Sequence, residues 1–153
     1  IDTAFAFVIL GGRMFRSVMA ILAGIVLGGL VVGSVEWLGH WLYPLPTGLD
    51  IDDPKELALA MAELPIGAFL MVQLAWFLGA ACSAALASWL GKGAPLLCGV
   101  LAALVMLAFA VMMLIMIPSP LWFILLTPLV FALGGALGLW PWWHAGREPT
   151  APT

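Results

Sequence analysis

The sequence predicts an all-α integral membrane protein: a bundle of four antiparallel transmembrane helices with a short interfacial helix in the first external loop. Three observations predict it. Hydrophobic residues make up 65% of the chain and charged residues only 8%, against about 25% charged in a soluble domain, and the mean hydropathy is +1.18. Four apolar runs each reach the length of about 20 residues that a helix needs to cross a bilayer core. The charges outside those runs sort by sign between alternate loops.

The runs cover residues 17–43, 64–90, 94–117 and 121–140, inside a transmembrane domain of residues 14–144, with residues 145–153 as a C-terminal tail. Residues 1–13 precede Met14-Phe15-Arg16-Ser17, and their apolar stretch from Ala4 to Leu10 is too short to span. They are read as an extension, an expression remnant or a misassigned start, outside the bundle. The first run is too long for a signal peptide, contains Glu36 and His40, and is followed by no small-residue cleavage pattern. The last two connections, Gly91-Lys92-Gly93 and Pro118-Ser119-Pro120, are so tight that the helices they join must be antiparallel neighbours.

Orientation follows from the positive charges. Arg13, Arg16, Lys92 and Arg147 fall on one side of an evenly crossed membrane, which makes that side cytoplasmic and both termini with it. The first loop carries Asp50, Asp52, Asp53, Glu56 and Glu63 against Lys55 alone. Trp37, Trp41, Tyr43 and Trp122 lie at the expected outer boundary, and Trp89, Trp140, Trp142 and Trp143 at the inner one, where amphipathic rings settle at headgroup level. Only Trp76 falls deep in a span. Within the first loop, Asp53-Pro54-Lys55-Glu56 reads as a capped helix start. Leu57, Ala60, Met61 and Leu64 then recur on one face until Pro65 ends the pattern, giving a short helix on the outer surface.

Few residues are candidates for function. Glu36 and His40 are four apart on one helix face. At about 100° per residue, Gly29 and Gly33 share their stripe, and glycines admit a neighbouring helix, so the pair is expected to face protein. A charge at mid-membrane costs about 2.5–3.5 kcal/mol on insertion scales, which makes an intramembrane acid a functional candidate; the plainer reading is a Glu–His pair that fixes helix ends. Gln73, the only amide in any span, is expected to bond between helices or to line a cavity below Glu36. Glu63 joins the candidate ion or ligand set at the outer leaflet.

Small residues form ridges: Ala75, Gly79, Ser83 and Ala87 in the second span, Gly24 and Gly28 in the first, and Gly134 and Gly138 in the fourth. Two small faces on the first helix, Gly24–Gly28 and Gly29–Gly33, call for more neighbours than one subunit supplies. Pro128 should kink the fourth span. Met112, Met113, Met116, Met61 and His40 lie near one level; thioethers and imidazole suit Cu(I), and methionine is also an ordinary gap-filler, so no metal is assigned. Cys82 and Cys98 sit in apolar runs and read as packing residues. His40 and His144, at opposite faces about 30 Å apart, cannot share a metal or haem. No calcium loop, nucleophile–base constellation, phosphate loop, dinucleotide fingerprint or zinc motif is present, so neither a cofactor nor enzymatic activity is expected.

The segments Glu36-Trp37-Leu38-Gly39-His40, Tyr43-Pro44, Gly48-Leu49-Asp50, Asp53-Pro54 and Ile117-Pro118-Ser119-Pro120-Leu121-Trp122 resemble a pattern in small bacterial four-helix integral membrane proteins for which no activity is known. The resemblance covers residues 14–140 and implies a bacterial inner-membrane setting. Small multidrug transporters also have four helices and a glutamate in the first, but this chain lacks the rest of their pattern. With no basic patch and a net charge of −3, nucleic acid is not an expected partner. The residues favour a structural or accessory membrane subunit, lipid-embedded and acting through helix contacts as a homo-oligomer or in a larger complex. The alternatives are an oligomeric small-solute, ion or proton transporter or channel working through Glu36 and His40, and a membrane enzyme or lipid-binding protein with its site at the outer leaflet, using His40, Glu36 and Glu63.

Overall fold

In the computed structural model, the described residues are 3–44, 48 and 53–145, with only the backbone path considered for 3–10, Pro54 and Ala145. Asp50, Asp52, Arg147 and residues 146–153 of the expected tail lie outside them. The described chain is entirely helical outside its turns: α1 Thr3–Leu42, α2 Pro54–Glu63, α3 Ile66–Leu90, α4 Pro95–Met116 and α5 Leu121–Ala145. Four of them (α1, α3, α4 and α5) are long and apolar enough to cross a membrane, so the chain is an integral membrane bundle. The helix boundaries follow local chemistry. Asp53 caps α2, its Oδ1 accepting from the Lys55 amide at 2.8 Å, and Pro54 and Pro95 open α2 and α4, where a missing N–H costs nothing. Leu64 before Pro65 is forced extended, at φ −64° and ψ 135°, which breaks α2 from α3.

Two elements run longer than the apolar patterns marked. α1 begins at Thr3 rather than near Ser17, so the N-terminal residues continue the first helix; its 40 residues measure about 60 Å at about 1.5 Å each, twice the hydrocarbon thickness. α5 passes through both Pro128 and Pro141 before it ends.

α3 is the central helix: it packs on α1, α4 and α5, whereas α1 and α5 do not meet among the described residues. The contacts are close because the facing residues are small. A Cβ placed on Gly24 would lie 2.6 Å from the Ser83 carbonyl oxygen, and one on Gly28 2.9 Å from that of Gly79. On the opposite flank, a Cβ on Gly134 would meet the Phe77 carbonyl oxygen at 2.5 Å, and one on Gly138 would collide with that of Ala81. Gly79 itself faces Gly28 and Val32. Cys98 is buried in the same tight region beside Gly91, and both cysteines are free thiols.

The Gly29–Gly33 stripe, the second small face of α1, is uncovered within a single chain. A side chain at either position would meet nothing within 4 Å, so none of the described helices packs there. Gly28 and Gly29 differ by about 100° of helical rotation, and the small face of α3 engages only the Gly24–Gly28 side. Toward the first-loop end small residues give way to rings: Trp76 packs on Phe123 at 5.4 Å and on Phe131 at 5.9 Å, and Phe69 on Phe123 at 5.4 Å. The charges sort by end as well. Arg16 Nε donates to the Leu90 carbonyl at 3.3 Å and Arg13 lies beside Gly93, opposite α2 and its acids.

Gly24→Leu and Gly138→Leu should each lower stability by about 1–3 kcal/mol through overpacking, measured by thermal unfolding in detergent. Gly29→Ala and Gly33→Ala should leave the monomer unchanged or raise its stability by up to about 1 kcal/mol through helix propensity. Equal losses at all four positions would mean that the packed face of α1 is wrongly assigned.

Candidate functional site

Where α1 and α4 end and α3 and α5 begin, bulky side chains hold the helices apart and α2 lies across the gap. The result is a half-open cavity of about 540 Å³, within the range of about 300–1,000 Å³ usual for small-molecule sites. α1 and the turn after it contribute Glu36, Gly39, His40 and Tyr43; α2 contributes Leu57 and Met61; α3 contributes Phe69, Met71 and Trp76; α4 contributes Met113 and Met116. Ser119 and Phe123 also line it, as does Ala68 of α3. Among the described residues, no lysine or arginine lines it.

Glu36 is the charged group of this wall. The side chain is half-buried, and its Oε1 accepts a hydrogen bond from Trp76 Nε1 at 3.3 Å. Trp76 is only 7% exposed. An indole N–H that deep needs an acceptor, and Glu36 supplies one that no other side chain of α1 at this level offers. The carboxylate has no ion-pair partner and no second donor among the described residues, leaving acceptor capacity toward the cavity. His40 bonds differently from the expected side-chain pair. Its Nδ1 lies 2.8 Å from the backbone carbonyl of Glu36, which can only accept, so Nδ1 carries the proton and Nε2 stays available.

The structure brings Glu36 and His40 together and separates Gln73 and Glu63 from them. Gln73, 4% exposed, is not in the cavity wall. Its Nε2 donates to the Phe123 carbonyl at 3.0 Å and to Thr127 Oγ1 at 3.2 Å, while Thr127 Oγ1 donates to the same carbonyl at 2.9 Å. This knot ties α3 to α5 one turn before Pro128, where the helix lacks an amide donor. Glu63 is exposed at the end of α2 and does not line the cavity: the inward face of that helix is set by Leu57, Ala60 and Met61, and Glu63 falls outside it. Met112 is exposed and, unlike Met61, Met113 and Met116, is absent from the wall. Among the described residues, no three His, Cys, Asp or Glu side chains cluster as metal ligands.

Trp76 and Tyr43 are site residues that sequence reasoning assigned only to depth or to the membrane belt. The signal for Trp76 was its position, the one indole far from an interface. Tyr43 reaches its place because Gly67 has no side chain: a Cβ there would collide with the phenol oxygen. In the wall, Ser119 Oγ donates to the Ile117 carbonyl at 3.1 Å, and among the described residues no hydrogen bond joins it to His40. Beyond Trp76 the bundle closes, with Ala75, Ala80, Ala84 and Ala87 all fully buried.

A double-mutant cycle of Trp76→Phe and Glu36→Ala, read by unfolding in detergent, should give a coupling energy of about 0.5–1.5 kcal/mol. Additive losses would mean that the Trp76–Glu36 bond does not form in the membrane.

Comparison with known proteins returns no match to a family model, to a curated protein or to a solved structure.

Proposed function

We propose that this chain is a non-enzymatic accessory protein of a bacterial inner membrane that captures an apolar or amphiphilic small molecule in the cavity beside Glu36. One observation carries the reading: a carboxylate steadied by Trp76 faces a largely apolar space of about 540 Å³ at the end of the bundle. An apolar pocket with a few convergent polar groups is the usual form of a small-molecule site. The positive-inside rule puts this end on the outer face, with Arg13, Arg16 and Lys92 on the cytoplasmic side. Four methionines in the wall, Met61, Met71, Met113 and Met116, favour adaptable rather than rigid recognition.

The test is site-resolved photolabelling in lipid nanodiscs with an alkyl diazirine. Labels should concentrate on Met71, Met113 and their cavity neighbours. Ala68→Trp, which fills the space from its wall, should cut that labelling by about tenfold, or about 1.4 kcal/mol. Labelling spread evenly over the lipid-facing surface of both proteins would refute capture.

The uncovered Gly29–Gly33 face favours a second, compatible reading, in which α1 also docks a second copy. Gly33→Cys should then form a disulfide-linked dimer on oxidation in native membranes, and a monomer alone would exclude that contact.

A further inference from the structure

Resting on the capture reading, we infer that the ligand is a lipophilic cation: a single apolar body carrying an ammonium group that pairs with Glu36. Four independent features select this class. Electrostatically, Glu36 lines the cavity with no lysine or arginine beside it among the described residues, so an anionic head would meet repulsion and a neutral one would leave a half-buried carboxylate with a single long hydrogen bond of 3.3 Å. A carboxylate removed from water is stabilised chiefly by a charged donor; among the described residues no lysine or arginine lines the cavity to supply one, and the nearby His40 ring bonds to backbone. The rings around it add to this, because Trp76, Tyr43 and Phe123 line the same space and aromatic side chains can attract desolvated cations.

The approach to the site has the same sign. Asp53, Glu56 and Glu63 on and before α2 outnumber Lys55, and Asp50 and Asp52 precede them in the sequence. A mouth of one charge concentrates the opposite ion and speeds its arrival. The volume, about 540 Å³, suits one chain or fused ring system with its head, which distinguishes a free amphiphile from a two-tailed bilayer lipid.

Competition against the diazirine label tests the class in nanodiscs of zwitterionic lipid, using the full chain. Decyltrimethylammonium, decanol and decyl sulfate share a tail and differ in head charge. The ammonium compound should displace cavity label at about tenfold lower concentration than the alcohol, the scale of a desolvated charge contact, and the sulfate should displace it least. Glu36→Gln keeps an oxygen for the Trp76 N–H and should erase the difference between ammonium and alcohol. Equal displacement by all three, or a lead for the sulfate, overturns the cation class while leaving the cavity as a binding site. Label that never concentrates in the cavity overturns both. If Glu36→Gln does not fold, the ranking of the three heads on the unaltered chain decides.

Discussion

Everything in this bundle depends on how closely α3 can approach its neighbours. Between helices in lipid the hydrophobic effect supplies no drive, because the alternative solvent is equally apolar; van der Waals fit has to do the work. Gly24 and Gly28 of α1, Gly99 of α4, and Gly134 and Gly138 of α5 each set a helix against α3 with no room for a methyl group. Three neighbours are thereby clamped to one helix in its second half, and Ala80, Ala84 and Ala87 between them are fully buried. Ser83 and Ser88 belong to the same surface. Their hydroxyls are buried without partners, so these positions use the small size of serine rather than its hydrogen bond.

The cavity is the counterpart of that clamp. In the first half of α3 the sequence changes from small residues to Phe69 and Trp76, and the first turn of α5 answers with Phe123. Rings with centroids 5.4 Å apart hold backbones farther from one another than glycine does. Helices pinned together at one end and wedged at the other must diverge, and the divergence is the space that Glu36 faces. The polar groups respect this division. Gln73 ties α3 to α5 behind the aromatic wall, and Glu36 ties α1 to α3 across it. Both bonds lie where glycine contacts no longer hold the helices.

Much of the fold was legible in the sequence, because the number, type and order of the spans depend on length and hydropathy, which are local. The Asp53-Pro54 start of α2 was legible for the same reason, since a cap is satisfied within its own turn. The faces were not. Gly24–Gly28 and Gly29–Gly33 are equivalent as patterns on α1, and only the complementary surface of α3, some fifty residues away, selects one of them. At the site, Glu36 and His40 stood out because ionisable groups are rare in a span. The partner of Glu36 did not, because the Trp76 bond joins two helices whose relative rotation is itself set by the glycine contacts. Glu63 and Gln73 were grouped with Glu36 by polarity and depth; rotation about their helix axes separates them.

The same geometry constrains what a single copy can do with a bound molecule. Passage to the opposite face would require α3 to part from α1 and α5 where backbone meets backbone. That would give up the contacts at Gly24, Gly28, Gly134 and Gly138 together, and among the described residues the buried polar side chains in that half are Ser83 and Ser88. Opening at the other end asks for far less. α2 reaches the spanning helices through side chains alone, and the methionines behind it can change rotamer without moving backbone. Entry and exit by the same mouth is therefore the low-cost cycle for this bundle. A ligand held there rests against α1, α2, α3 and α4 at once, so the fit of its apolar body changes how α2 lies against the rest. If the chain captures a ligand as proposed, its contact with α2 gives the bundle a means to report occupancy at the surface where the ligand enters.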